Sequence, residues 1–389
     1  MADGAPAVPE QMPSLPQRIE KFRCFTMAHP RLLQAKDELL GAIEGSPPGS
    51  LILVLGPTGV GKTTLRRKVE ESLTEAMRPC MDTDPGRLPL VSVEAVAPDN
   101  GNFHWRDHFR RMLTPMHEPL MEHKLNSGRL VAERPGDVGF ASCPREVAGY
   151  QLQQTIENAL RYRRPAAVFV DEAQHLARMA SGRKLADQLD VVKSLANRTQ
   201  TVQVLIGAYE LLAFRNRSGQ LSRRSVDLHF SRYCAESSED LEIFQNVVFT
   251  FQSQLPPEAD LDLLRIWDFL YERSLGCVGV LKDWLMRARI AASQGANTVW
   301  TQRILDKTAL SASQCEKILA EAREGEVHLT ENSEVQSRLR RLLHLSDDRL
   351  PAAPAPESPA SSSLPMKKRK PGLRLPKRDP IGQMQGAHA

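Results

Sequence analysis

The chain has 389 residues, with 51 Lys and Arg against 47 Asp and Glu, and a net charge of +4. This length fits two or three domains, and a hydrophobic content of 41% means that most of the chain can fold. The mild positive charge permits nucleic-acid binding without requiring it. The six cysteines are scattered and form no CxxC pair, a pattern typical of core thiols in a reducing compartment.

The sequence contains no membrane-targeting pattern. No apolar run approaches the roughly 18 residues of a membrane span. The first residues, MADGAPAVPEQMPSLPQ, have neither the basic start nor the apolar centre of a signal peptide. We therefore expect a soluble intracellular protein with no membrane partner.

Strand and helix patterns alternate along the first 233 residues. Pro and Ala dominate residues 1–16, which are predicted to be disordered. A helical pattern runs from Ile19 to Ile43 and ends at the segment EGSPPGS. Strands are predicted at 50–55, 88–96, 166–176, 202–211 and 225–233, and the third and fourth of these run into short helices. Helices are predicted at 63–77, 102–125, 146–162 and 183–199. Such alternation predicts a parallel α/β sheet with helices on both faces.

Helical patterns replace the strands after residue 236. The predicted divisions are a disordered N-terminus at 1–16, an α/β core at 17–235, a helical lid at 236–299, a helical C-terminal segment at 300–350 and a disordered basic tail at 351–389. The tail contains seven basic residues: Lys367, Lys368, Arg369, Lys370, Arg374, Lys377 and Arg378.

A phosphate-binding motif follows the first strand. The segment LILVLGPTGVGKTT fits G-x-x-x-x-G-K-[ST], with a strand before it and a helix after it. Glycines let successive backbone N–H groups point at phosphate oxygens, Lys62 adds a mobile cation, and the Thr63 hydroxyl suits Mg²⁺. The predicted nucleotide contacts are Gly56, Pro57, Thr58, Gly59, Val60, Gly61, Lys62, Thr63 and Thr64. A chance match is the alternative.

A second motif, AVFVDEAQH, places two acids at the end of a predicted strand. Ligands bind at the carboxyl ends of strands in open α/β sheets. Asp171 is predicted to bind Mg²⁺, and Glu172 to act as the general base for the attacking water. The alternative is an ordinary strand that ends in two solvated acids. Together the motifs predict an ATP hydrolase that uses ATP and Mg²⁺.

Five segments in order carry a family resemblance: GPTGVGKTT, VDEAQHL, VLIGAYEL, LSRRSVDLHFSRY and GCVGVLKDWLMRA. Over about residues 25–300 the chain resembles AAA+ ATPases, and more narrowly the TnsC/TniB transposition regulators related to the phage Mu B protein. The resemblance implies an AAA+ P-loop three-layer domain with a five-stranded parallel sheet, followed by a helical lid. The segment DEAQHL also occurs in other bacterial AAA ATPases, such as those serving secretion.

The resemblance also implies roles for residues outside the two motifs. The strand at 203–209 corresponds to sensor 1, but Ala208 stands where a polar side chain is expected, so that Tyr209 or a backbone group substitutes, or hydrolysis is slow. Arg223 or Arg224 is the implied arginine finger, with a solvated basic turn as the alternative. Lys282 is the implied sensor-2 cation, with a surface lysine as the alternative. His29 lies in the segment that flanks adenine, unless it forms a surface turn.

Three basic regions are candidates for contact with double-stranded DNA. Arg106, Arg110 and Arg111 share a helix that faces the duplex in similar proteins. Arg183 and Lys184 close a small basic stretch after the second motif, and the basic tail is the third region. A solvated surface is the alternative for the first two regions. The tail could instead bind a transposase partner or match a nuclear-import signal. Binding through such groups should depend on salt and hardly on sequence.

The resemblance implies a bacterial, cytoplasmic ATPase that forms a ring or filament of identical subunits on target DNA. It would recruit a transposase and respond to a target-selection protein. Two other interpretations stay open. One is an AAA+ ATPase of secretion, repair or defence, and the other is a nucleotide-binding scaffold without turnover.

Overall fold

The computed structural model describes residues 15–97, 103–117, 145–177, 183–213, 225–255, 261–294, 301–329 and 333–345. The chain divides into two compact units, Met1–Glu331 and Asn332–Ala389. In its described part, the second unit consists of one helix and the turn that follows it.

The strands of the first unit are β1 (Leu51–Leu55), β2 (Leu90–Glu94), β3 (Ala167–Asp171), β4 (Val202–Gly207) and β5 (Ser225–His229). Its helices are α1 (Leu15–Cys24), α2 (Pro30–Gly45), α3 (Lys62–Thr83), α4 (Trp105–Leu113), α5 (Arg145–Arg163), α6 (Gln174–Ala177), α7 (Arg183–Thr199), α8 (Ser238–Gln252), α9 (Trp267–Ser274), α10 (Val278–Gln294), α11 (Gln302–Thr308) and α12 (Ala312–Leu329). Short 3₁₀ helices span Tyr209–Leu211 and Leu263–Ile266. Helix α13 (Ser333–Leu342) belongs to the second unit.

The five strands form one parallel sheet in the order β2-β3-β4-β1-β5. Strand β1 lies between β4 and β5, with Leu53 opposite Leu205 and Asp227. Every residue of β1, β3 and β4 is buried, as expected for inner strands covered on both faces. This confirms the predicted five-stranded parallel sheet.

Alternate side chains of the sheet supply two separate cores. Leu51, Leu53 and Leu55 of β1 face one cluster, which includes α4, α5 and α7. Ile52 and Val54 face the opposite cluster, which includes α2 and α3. Successive strand residues point to opposite faces, so one apolar run builds both cores. The result is the predicted three-layer architecture.

A third core joins the helices of the lid. It contains the buried Trp284 of α10, whose indole N–H donates to the Leu305 carbonyl of α11 at 3.0 Å. Phe22 of α1 packs into the same core. The lid core therefore includes helices on both sides of the predicted 236–299 division.

The N-terminal helices depart from the predicted pattern in one respect. The single helical stretch from Ile19 to Ile43 is two helices, α1 and α2, separated by residues 25–29. Pro30 occupies the first turn of α2, where its missing N–H costs nothing, whereas inside a longer helix it would remove a hydrogen bond.

The remaining general expectations concern cysteines and membranes. Each of the five cysteines within the described ranges is a free thiol. Among the helices that the structure describes, none combines the length and apolar character needed to cross a membrane.

Candidate functional site

The loop between β1 and α3 forms a phosphate cradle. Gly59 and Gly61 have φ of 77° and 112°, in the left-handed region that glycine adopts without strain. Gly56 permits close packing, since a Cβ there would lie 2.3 Å from the Phe230 carbonyl oxygen. The loop leads directly into the N-terminus of α3 at Lys62, whose free N–H groups favour an anion.

Lys62 folds back onto this loop. Its Nζ donates to the carbonyl oxygens of Gly56 and Pro57, each at 2.9 Å. Burial lowers the pKa of Lys62, while the negative charges of Glu172 and Asp171 act to raise it. A buried amine beside a glycine-rich cradle and a helix N-terminus fits the phosphates of a nucleotide.

Asp171 ends β3 and is held from two sides. Its Oδ2 accepts from Arg66 Nε at 3.0 Å, and its Oδ1 accepts from the Glu172 N–H at 2.9 Å. Arg66 also donates to Ser92 Oγ at 2.6 Å and to the Glu70 carboxylate. The carboxylate of Asp171 and the exposed Thr63 hydroxyl are the oxygen ligand types that Mg²⁺ prefers.

Arg66 is a site residue that the sequence analysis missed. Its guanidinium links α3 to the middle of β2, at Ser92, and to the carboxyl end of the neighbouring β3, at Asp171. The available signal was its position one helical turn after Lys62, with Glu70 a further turn along.

Glu172 begins the turn after β3 with a φ of 52°, which is unusual for a residue other than glycine. Its Oε2 accepts from the side-chain amide of Gln174, and the Oε1 of that amide accepts from the Ala208 N–H at 3.2 Å. Gln174 is buried, and the sequence analysis had given it no role. The sequence feature that could have identified Gln174 is its position, as a polar residue two positions after the proposed base Glu172.

Two groups at the tip of β4 could replace a polar sensor-1 side chain, namely the Ala208 N–H and the Tyr209 hydroxyl. The Ala208 N–H points to Gln174, whereas the Tyr209 hydroxyl forms a 2.8 Å hydrogen bond with His229 Nε2. Burial raises the pKa of Tyr209. Of the expected substitutes for a polar sensor-1 side chain, the backbone group of Ala208 is the one linked to Glu172, through Gln174.

The lid packs directly on the phosphate cradle. The Val280 N–H of α10 donates to the Gly59 carbonyl at 3.0 Å, and a Cβ on Gly279 would lie 2.4 Å from that oxygen. Lys282 donates to the Arg23 carbonyl of α1 at 3.0 Å, and burial lowers its pKa. Its sensor-2 role stays a prediction.

His29 is buried and is not a surface turn. Its Nδ1 lies 2.9 Å from the Tyr233 hydroxyl, and its ring stacks on Phe230 with centroids 6.3 Å apart. Burial, followed by the charge of Arg31, lowers its pKa to about 4. Phe230 also contacts Gly56, so a single residue, Phe230, separates His29 from the phosphate cradle in space.

A cavity of about 280 Å³ opens beside the cradle. Its lining comes from the P-loop at Pro57 and Thr58, from the turn at Ala208 and Tyr209, and from α12. Helix α12 approaches this turn closely, since a Cβ on Gly325 would lie 2.0 Å from Tyr209 Cγ. Helix α12 therefore contacts the site itself.

The predicted finger and DNA residues have different placements. Arg223 and Arg224 lie outside the described residues, immediately before β5. Arg106, Arg110 and Arg111 are exposed on α4, and Arg111 pairs with Asp107 at 2.6 Å. Arg183 and Lys184 are the first two residues of α7. The basic tail, 367–378, lies outside the described residues.

Comparison with known solved structures gives distant likenesses. The ORC2 protein of Aeropyrum pernix, with ADPNP and ADP, is 13% identical with a TM-score of 0.47, over 76% of this chain and 71% of that one. The ORC1 protein of the same organism, in complex with DNA, is 19% identical with a TM-score of 0.43, over 84% and 75%. A Walker-type ATPase of Pyrococcus abyssi is 15% identical with a TM-score of 0.40, over 79% and 76%. At these values the likenesses carry no conclusion about substrate or partners.

Comparison with protein families gives a defined match. No curated protein matches the chain significantly. Residues 48–214 match the model of an AAA domain. They run from just before β1 to just after the 3₁₀ helix Tyr209–Leu211. With the phosphate cradle and the strand order β2-β3-β4-β1-β5, this match identifies an AAA domain with the AAA+ P-loop fold within the chain.

Proposed function

We propose that the chain is an ATP hydrolase that assembles on double-stranded DNA. The observation that carries this proposal is the convergence of Lys62, Asp171 and Glu172 at one edge of the sheet. The charges of both acids act on the buried Lys62 amine. A site that only bound nucleotide would need the cradle but not a carboxylate in the position of a base.

The proposed chemistry assigns one task to each group. The P-loop N–H groups and Lys62 hold the phosphates, and Thr63 and Asp171 would hold Mg²⁺, which supplies charge neutralisation. Glu172 accepts a proton from water as the water oxygen attacks the γ-phosphorus. The bond to the β,γ-bridging oxygen breaks, and ADP and inorganic phosphate leave. Arg223 or Arg224 of a neighbouring copy would stabilise the developing charge.

DNA contact is the second part of the proposal. Arg106 and Arg110 are exposed on one face of α4, while His108 and Phe109 on the other face are buried. This arrangement anchors the helix by its apolar side and presents two guanidinium groups to solvent. Such groups suit phosphate contacts that do not read sequence. Arg183, Lys184 and the basic tail would extend the contact.

The biological role proposed is target marking for a transposase, with a target-selection protein as the second partner. Its support is the order of the five resembling segments. Without a transposition partner, the same ATPase would serve secretion, repair or defence. DNA-linked assembly favours the transposition role, because a regulator of secretion has no need of a duplex.

The first experiment follows assembly by light scattering on random-sequence duplex DNA, with a slowly hydrolysed ATP analogue and with ADP. We expect assembly with the analogue alone. In ATP, Glu172→Gln should retain the assemblies because it blocks release of phosphate, whereas Lys62→Ala should prevent them. Assembly of both variants to the same extent, with or without ATP, would refute the mechanism.

A salt titration tests the DNA surface. Arg106→Ala and Arg110→Ala should each weaken binding and reduce the slope of log affinity against log salt by about one. Arg111→Ala should have a smaller effect because Arg111 already pairs with Asp107. Arg265→Ala is the matched control, since Arg265 is an exposed arginine of the lid. Equal slopes for all four variants would exclude α4 from the interface.

A further inference from the structure

We propose that Gln174 is a positioning residue, which holds the Glu172 carboxylate and connects it to the tip of β4, where Ala208 provides no polar side chain. The inference rests on the proposed hydrolysis. The polar side chain of sensor 1 was expected at the end of β4. The inference assigns its function to Gln174, which begins α6.

The orientation of the Gln174 amide follows from its partners. The Ala208 N–H can only donate, so the atom 3.2 Å from it must be the acceptor, Oε1. The amide nitrogen then faces the Glu172 Oε2, which accepts. One buried side chain thus makes two hydrogen bonds of opposite sense. Neither bond can be satisfied with the amide reversed.

The surrounding backbone is built to keep Gln174 in this place. The Ala173 N–H donates to the Ile206 carbonyl at 2.9 Å, which fixes the turn after β3 against β4. Gly207 leaves room for the amide, because a Cβ there would lie 2.3 Å from Gln174 Oε1. A side chain at residue 207 would therefore displace the link between Glu172 and β4.

The consequence for Glu172 is geometric. Gln174 donates to the Glu172 carboxylate from a buried position, so it holds in one direction the side chain that is proposed to accept a proton from water. Glu172 also has an unusual backbone conformation, with φ of 52°. Gln174 links this turn to the tip of β4.

The test measures phosphate release by the full-length chain with ATP, Mg²⁺ and duplex DNA. Gln174→Leu should lower kcat by up to ~100-fold with little change in KM for ATP, since misplacement of a catalytic group costs this much. A fall in kcat without a rise in KM separates misplacement of Glu172 from damage to the nucleotide site.

A second variant keeps the test valid if the leucine protein does not fold. Gln174→Glu has nearly the same shape but replaces the donor with a second carboxylate, which repels Glu172, so kcat should fall at least as far as in Gln174→Leu. The matched control is Gln203→Leu. Gln203 is also a buried glutamine, on β4, and its amide contacts the Thr201 carbonyl at 3.4 Å. This control should lower kcat far less.

A rescue variant examines the assigned replacement directly. Ala208→Asn in the Gln174→Leu background should recover part of kcat, since it restores a polar side chain at the tip of β4. Unchanged kcat in both Gln174 variants, or an equal fall in kcat in Gln203→Leu, would overturn the inference. Absence of phosphate release by the unaltered chain would instead refute the proposed hydrolysis.

Discussion

Arg232, in the segment after β5, binds helix α12 through its side chain. Its Nε and Nη2 donate to the two carboxylate oxygens of Glu326 at 2.9 and 3.1 Å, in a bidentate pair. Burial by itself would lower the pKa of Arg232, but the hydrogen bonds and charge of Glu326 outweigh it and raise that pKa. The Arg232 side chain is only 6% exposed, and Glu326 lies on α12. The pair therefore forms only when α12 is packed in this position.

Breaking this pair should loosen α12. Arg232→Met removes the guanidinium that binds Glu326, and removal of one member of a buried pair costs roughly 3–5 kcal/mol. We expect a lower free energy of unfolding in urea and faster hydrogen exchange in residues 312–329. Arg323→Ala is the control on the same helix, because its pair with Glu236 is exposed on both sides and should contribute at most ~1 kcal/mol. Equal losses for both variants would contradict this account.

At the scale of elements, helix α12 covers the turn after β4, at Ala208 and Tyr209. Gly325 lies against Tyr209, whose hydroxyl bonds to His229 at the end of β5. Ala208, one residue earlier, is linked to Glu172 through Gln174. A continuous series of contacts therefore runs from α12 to the proposed base. Movement of α12 is expected to change the rate of hydrolysis.

Gly325→Ala should separate α12 from this turn. The added Cβ would lie 2.0 Å from Tyr209 Cγ, and neither the helix backbone nor the ring can yield by that amount. We expect a loss of roughly 1–3 kcal/mol in thermal or urea unfolding, together with altered phosphate release. Gly41→Ala, in the middle of α2, meets nothing within 4 Å and should instead stabilise the protein by about 0.5–1 kcal/mol. The same sign for both variants would exclude the steric explanation.

At the scale of the whole molecule, two buried histidines make stability depend on pH. Burial lowers the pKa of both His29 and His108 to about 4, from an ordinary value of 6.5. For His29 the charge of Arg31 adds to the effect of burial, whereas for His108 the charge of Asp107 opposes it. In the unfolded chain each histidine takes up its proton at higher pH than in the folded chain. Their contribution is therefore present above pH 6.5 and is lost as the pH falls towards 4.

The contribution of His29 can be measured by substitution. Between pH 7 and pH 5 the folded protein should lose about 2 kcal/mol through this residue, and His29→Asn should remove that part of the slope. Asn retains a group that can bond the Tyr233 hydroxyl. His104→Asn is the control, because His104 is exposed and has nearly the same surroundings before and after unfolding. Urea unfolding at the two pH values provides the readout, and an unchanged slope for His29→Asn would contradict the expected burial effect.

The sequence by itself determined the parts of this protein that are contiguous in the chain. The apolar run of β1, the glycines of the cradle and Lys62 stand in one segment, so spacing alone predicted a strand, a loop and a helix N-terminus. The alternation of strands and helices predicted the parallel sheet, and the two acids after β3 followed from the rule that sites lie at strand ends. The sensor-2 and finger roles remain predictions.

Only the tertiary structure decided which distant side chains meet. Arg66 reaches Asp171, Gln174 reaches Ala208, and Arg232 reaches Glu326, across 34 to 105 positions of the chain. No local pattern encodes such pairs, because they depend on the order of strands in the sheet and on where α12 packs. His29 also became a buried residue only through Phe230 and Tyr233. Local periodicity specifies elements, whereas the packing of those elements places polar groups next to each other away from water, where their hydrogen bonds and charges act most strongly.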